Sequence, residues 1–281
     1  MDDHDPSDYY EEYYRRFEPE KEFLPRDTEI DEAKATLIEF FEQNREKVFY
    51  YKQLQVKLEK KHFHWITEAA IDELIGENYI GLQIEQLIGA TRVNFVFHPR
   101  KWRYYKTPIK TSLEVIRAYS HHTIAMACGE QADTLFFNAL MARGFFCHGQ
   151  DTNGYKEKKW TTTNHNLDFM IEKDEVVYGC EVKNTFDYIS REQLSVKLQI
   201  CRHLEIKPVF IMRYSPKSYN KQIIDAGGYA LIYEAQIYPF GQNDLVEKIR
   251  AVLGLPVDCP RAIPAGIIDR FMTWHNKQVA R

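Results

Sequence analysis

Apolar positions along this chain follow a helical period at first, then alternate between helical and strand-like spacing. From Ile30 to Glu42, Ala33, Leu37, Ile38, Phe40 and Phe41 mark one face of an amphipathic helix. Phe49 to Leu58 and Thr67 to Ile75 predict two more helices. Tyr79 to Leu82 and Arg92 to Phe97 read as strands around a Gly89-Ala90 turn. Further on, Gly129 to Gly144 carries apolar residues at 132, 135, 136, 139 and 140, with Gly144 suited to the cap, and Phe145 to His148 reads as a short strand. Asn166 to Glu172 and Val176 to Lys183 predict two strands joined across Lys173-Asp174. Then come a helix from Gln193 to Leu204, a buried strand from Lys207 to Met212, and a helix from Tyr219 to Ala226 closed by Gly227-Gly228. A strand from Tyr229 to Tyr233, a helix from Asp244 to Leu253 and a C-terminal helical tail complete the series. A hairpin followed by helix, strand, helix and strand predicts an α/β domain with a mixed central sheet flanked by helices.

These periods divide the 281 residues into four parts. Residues 1–27 are an acidic tail expected to be disordered. Residues 28–98, with three short helices and a hairpin, resemble a winged helix-turn-helix of α+β type in topology, though in no specific motif. Residues 99–111 form a basic linker, and residues 112–281 the α/β domain. The formal charge of −4 changes meaning on division, because residues 1–32 hold thirteen Asp/Glu and four Lys/Arg, a local −9 that leaves +5 for the rest. The linker carries Arg100, Lys101, Arg103 and Lys106 among aromatic residues and no acid, which suits a phosphate-tracking segment or an ordinary soluble linker. The third predicted helix is acidic (Glu68, Asp72, Glu73), which argues against phosphate gripping by that element. Five cysteines without metal-ligand spacing fit reduced thiols in a cytoplasmic or nucleoid-associated protein. No signal peptide or membrane span is expected.

The chemistry concentrates in the central hairpin. Asp168 sits between apolar neighbours in the first strand. Glu181-Val182-Lys183 ends the second, with Glu181 and Lys183 on one face because strand side chains alternate. With the two strands joined across Lys173-Asp174, Asp168 falls opposite Gly179 and diagonal to Glu181, which would leave room for a hard cation between two carboxylates. A surface hairpin with a chance Glu181–Lys183 pair is the plainer alternative.

Asp168 with Glu181-Val182-Lys183 resembles the PD-(D/E)xK nuclease superfamily, over roughly Ser112 to Leu253. Leu167 stands where the family name implies proline, a position that many members vary. The resemblance implies a restriction-endonuclease-like fold and a metal-dependent deoxyribonuclease. Asp168, Glu181 and the Val182 carbonyl would hold Mg²⁺, with Mn²⁺ as a substitute, and Lys183 would orient or activate the attacking water. It also implies that Glu130, near the start of its helix, reaches the metal or its water, with Asp133 one turn on as the alternative. Favourable placement in the helix dipole is the other account of Glu130.

Several further residues are candidates for nucleic-acid contact. Lys197 lies on the helix after the hairpin. His165 would touch phosphate or relay a proton, and Asn184 would touch phosphate or cap a turn. Lys156 to Thr163, including Trp160, reads as an exposed loop. Restriction-type cleavage of duplex DNA by a homodimer is the leading functional expectation. A structure-specific repair or junction nuclease and a catalytically inactive DNA-binding regulator are the alternatives, and RNA is the less favoured substrate.

Overall fold

The computed structural model describes residues 28–87, 91–101 and 103–279. The acidic tail and the Gly89-Ala90 turn lie outside the described residues. The N-terminal unit runs α1 (Thr28–Gln43), β1 (Val48–Tyr50), α2 (Tyr51–Leu58), α3 (His64–Gly76), β2 (Gly81–Gln86) and β3 (Arg92–Phe97). Its strands form an antiparallel sheet in the order β1-β3-β2. Ala33, Leu37 and Phe41 of α1 close over Leu54, Ile66, Ala70 and Leu74 as the sequence period requires. β1, with three residues, is too short to show an alternating pattern, and part of it falls within the Phe49 to Leu58 stretch that predicts a helix.

Residues expected as an extended linker are structured. Pro99–Lys101 forms a 3₁₀ turn, and α4 spans Lys106–Tyr119. Pro108 falls in the first helical turn, where a missing N–H costs nothing because those amides have no intrahelical partner. The buried face of α4 (Ile109, Leu113, Ile116) packs in one core with Tyr50, Val93 and Phe95 of the N-terminal unit. Phe186, Tyr238, Val246, Ile249 and Leu253 from the rest of the chain complete that core.

The second unit continues with α5 (His122–Met141), β4 (Phe146–Thr152), the short β5 (Gly154–Tyr155) and β6 (Lys158–Lys159), then β7 (Leu167–Lys173) and β8 (Val176–Lys183). After these come α6 (Arg191–Leu204), β9 (Lys207–Met212), α7 (Lys217–Asp225), β10 (Tyr229–Ile232), β11 (Gln236–Ile237), α8 (Asn243–Lys248), β12 (Val257–Asp258) and α9 (Ala265–Val279). A mixed five-stranded sheet runs in the order β10-β9-β8-β7-β4. Its first two strand pairs in sequence, β4 with β7 and β7 with β8, are antiparallel, whereas β8, β9 and β10 are parallel. Helices cover both faces. Leu135 and Phe136 of α5 and Ile268 and Phe271 of α9 pack on Phe169, Tyr178, Cys180 and Ile211. On the opposite face, Ile200, Cys201 and Leu204 of α6 meet Leu167 and Met170. Among the described residues no helix is long and apolar enough to cross a membrane.

The hairpin turn differs from expectation by one residue on each arm. Lys173 pairs with Val176, so Asp174 and Glu175 form the turn, both in the left-handed region at φ 49° and 62°. That geometry matches the twist of the flanking strands, and it shifts every pair. Gly179 faces Met170, not Asp168. A Cβ on Gly179 would lie 2.7 Å from Leu167 Cδ1 and 2.8 Å from Cys201 Sγ. This glycine therefore admits α6 close to the sheet and makes no room for an ion. Glu205 ends α6 in the left-handed conformation, and its N–H bonds the Arg202 carbonyl.

The two units are joined by a buried ion pair. Arg213, just past β9, is 1% exposed and grips Glu59, just past α2, in a bidentate contact of 2.7 and 2.6 Å. The guanidinium also donates to the carbonyls of Thr185 and Phe186, and the Tyr214 hydroxyl to the Glu59 carbonyl. Burial works against ionisation of Glu59, but Arg213 and His64 outweigh it and hold its carboxyl below the usual range. Every charge and most lone pairs are thereby met, the condition under which a buried pair holds.

Candidate functional site

Strands β7 and β8 part at the acid-bearing end of the hairpin. Their last pair is Phe169 with Cys180, so Asp168 and Glu181 are the next opposing residues. There the Asp168 carboxylate, not a backbone carbonyl, receives the Val182 N–H at 2.6 Å. Strand β8 runs on to Lys183, supported on its other side by Met212 of β9. The two acids thus meet across the split more directly than the diagonal arrangement read from sequence.

Glu181 is 7% exposed and forms an ion pair with Lys197 of α6, whose ammonium also donates to the Asn166 carbonyl. Lys183 Nζ lies 3.4 Å from Gln193 Oε1 on the same helix. Helix α6 therefore places two polar residues, one turn apart, over the parted strands, while its apolar residues hold it to the sheet. Lys197, expected at a nucleic-acid surface, is 8% exposed and belongs to the interior of the site.

Electrostatics follow from this geometry. Burial, and then the neighbouring Asp168 charge, push the Glu181 carboxyl up to about 7 against the pull of Lys197 and Lys183. Burial likewise raises Asp168, opposed by the Val182 amide and the same two lysines. Asp133 is lifted to about 7 by burial, then by Asp168 and Glu130. It lines a cleft of about 510 Å³ together with Asp168, Asn138, Gln150 and Asp151. Glu130 is exposed and stands in the middle of α5, because that helix begins at His122 rather than near Gly129. Its distance from the helix start removes the dipole account, and Asp133 is the α5 acid that faces Asp168 across the cleft.

Other expected contacts are placed elsewhere. Asn184 is buried, donating to the carbonyls of Cys128 and Ile237 and accepting from the Tyr233 hydroxyl and the Ile237 amide. All its bonding capacity is spent holding β8 to neighbouring segments, so it has none left for phosphate. His165 bonds the Thr163 hydroxyl at 3.0 Å. Trp160 is 8% exposed and packs under α6, so its ring is closed to bases. Arg100, Arg103 and Lys106 are exposed and Lys101 lies 3.6 Å from Glu46; none of the four lines the cleft beside Asp168.

Among the described residues no group of three or more His, Cys, Asp or Glu forms a ready metal cage. Two buried carboxylates, each pushed up by burial and Glu181 further by the Asp168 charge, nevertheless suit a hard divalent ion, since Mg²⁺ keeps several waters and commonly takes one or two protein carboxylates. Cys201 beneath β8 is no competing ligand, because burial pushes its thiol up to about 12. No family model, curated protein or solved structure compared with the chain matches it.

Proposed function

We propose that the chain is a divalent-metal-dependent nuclease that hydrolyses DNA phosphodiesters, with restriction-type duplex cleavage as its favoured activity. The observation that carries this reading is the meeting of Asp168 with Glu181 and Lys183 where β7 and β8 part. The order helix, three antiparallel strands, helix, parallel strand agrees with the fold implied by the PD-(D/E)xK resemblance. The N-terminal unit agrees with the winged-helix resemblance in the order of its elements. Asp168 and Glu181 would hold Mg²⁺ or Mn²⁺, which would supply an acidified water and charge stabilisation at the scissile phosphate. Lys183, anchored through Gln193, orients the nucleophile or offsets charge as the phosphate becomes more anionic. Asp133 lies beside Asp168 and supports the arrangement of water. The exposed Arg100, Arg103 and Lys106 supply phosphate contacts outside the cleft, and cutting both strands calls for a homodimer.

The test is incubation of the full chain with plasmid, oligonucleotide duplexes and RNA, in Mg²⁺ or EDTA. Mg²⁺-dependent loss of duplex DNA supports the reading. Absence of cleavage with retained duplex binding would favour a DNA-binding regulator, which the Lys197–Glu181 ion pair makes the alternative, since it engages one of the two acids.

A pH dependence follows. Both acids must be ionised to hold the cation, and Glu181 in the free protein ionises only near pH 7. Cleavage at low Mg²⁺ is therefore expected to fall as pH drops through about 7, the protonated side being the inactive one. Raising Mg²⁺ is expected to move this limb to lower pH, because metal and proton compete for the same oxygens. Initial rates across pH at two Mg²⁺ concentrations check it; a limb that ignores Mg²⁺ would assign the titration to another group.

A further inference from the structure

Lys197 does something no surface lysine does. It is buried, it crosses from α6 to the opening between β7 and β8, and it binds the Glu181 carboxylate together with the Asn166 carbonyl two residues before Asp168. Its charge acts on Glu181, Asp168 and Asp133 alike. Lys183 acts on Asp168 and Glu181 from the end of β8. The two acids at the split are thus matched by two ammonium groups before any metal arrives. Asp133 and Asp151 stand on the wall of the cleft beside them.

We infer that Lys197 is a built-in counter-ion that makes divalent-metal loading depend on a bound phosphodiester. This rests on the metal-site reading above. A divalent ion entering the free site meets two carboxylates already offset by two ammonium charges. A phosphodiester brings the additional negative charge that makes the combined assembly favourable, so metal and nucleic acid bind together. Linkage makes the effect reciprocal: the duplex tightens metal binding by the same factor as metal tightens duplex binding. Lys197 is a positioning residue here, acting through Glu181 and not on the substrate.

The experiment is Mn²⁺ titration of the full chain at pH 8, followed by calorimetry. It is done alone and with a phosphorothioate duplex that resists cleavage. Without duplex, Lys197→Met is expected to bind Mn²⁺ about tenfold more tightly than wild type, because a unit charge at close range in a partly buried site amounts to at least that factor. Lys197→Arg, which keeps the charge, should stay within about twofold of wild type on the same physical ground. The duplex should tighten Mn²⁺ binding more in wild type than in Lys197→Met. Glu181→Gln separates the two layers of the argument. If Glu181→Gln abolishes Mn²⁺ binding while Lys197→Met binds no more tightly than wild type, the counter-ion role is overturned and the metal site stands. If wild type and Glu181→Gln bind Mn²⁺ equally, the metal reading itself falls and the inference with it. Should Lys197→Met fail to fold, wild type alone decides: equal Mn²⁺ affinity with and without duplex overturns the coupling.

Discussion

Asp168→Asn and Glu181→Gln are each expected to lower duplex cleavage by on the order of 10³-fold, about 4 kcal/mol of transition-state stabilisation, while leaving the fold intact. The two substitutions remove charge and preserve shape. An asparagine oxygen can still accept the Val182 N–H that Asp168 receives at 2.6 Å, so the parted strands keep their spacing. Asp168→Asn therefore distinguishes loss of a cation ligand from loss of a structural acceptor. Single-turnover cleavage in Mg²⁺, with circular dichroism as the control for folding, makes the measurement. Rates within a few-fold of wild type in both variants would exclude these acids from the chemistry.

Glu59→Leu or Arg213→Met alone is expected to destabilise the protein by about 3–5 kcal/mol, because either leaves its partner charge buried without compensation. The double change Glu59→Leu with Arg213→Met should recover much of that loss, since an apolar pair of similar size carries no desolvation cost. Urea denaturation of the three variants checks both statements, and additive losses would mean the pair is not coupled. Cleavage should weaken together with stability in Arg213→Met. The Arg213 guanidinium bonds the Thr185 and Phe186 carbonyls just past β8, and its backbone N–H bonds the Lys183 carbonyl at 3.2 Å, so the contact between units and the end of β8 share one residue. This lock and the common core around Phe95, Ile116 and Phe186 tie the N-terminal unit to the rest of the chain by more than the segment 99–111 expected as a linker. Removing residues 1–110 would strip Glu59 from a fully buried guanidinium, a heavier consequence than loss of targeting.

What the sequence disclosed was set by its shortest-range rules. The Lys207–Met212 strand and the Arg92–Phe97 strand show their limits directly, because alternation and apolar runs are local properties. Asp168, Glu181 and Lys183 stood out for the same reason, as charges inside otherwise apolar strands. Pairing was less legible. Asp174 and Glu175 turn the chain in the left-handed region without a glycine to mark the position, so a turn expected across Lys173-Asp174 lies one residue later and the opposing residue of each acid changes. Burial was least legible of all. Lys197 on an amphipathic helix reads as solvated until the sheet beneath it is known, and Trp160 in a run of lysines reads as exposed for the same reason. Asn184 looked available because its four bonds run to residues far along the chain.

The turn at Asp174-Glu175 is clamped at a distance. The Asp174 carboxylate meets His275 Nε2 at 3.0 Å, and His275 Nδ1 meets the Tyr178 hydroxyl at 2.7 Å, so a fully buried imidazole on α9 fastens the closed end of the hairpin. The arms are counted from that clamp, and side chains change sides with every residue. One residue more or fewer in a single arm would carry its acid away from the other, although nothing near the acids had been altered. For this stretch of the gene, length is therefore constrained as tightly as spelling: gain or loss of a single codon in either arm would part the two acids.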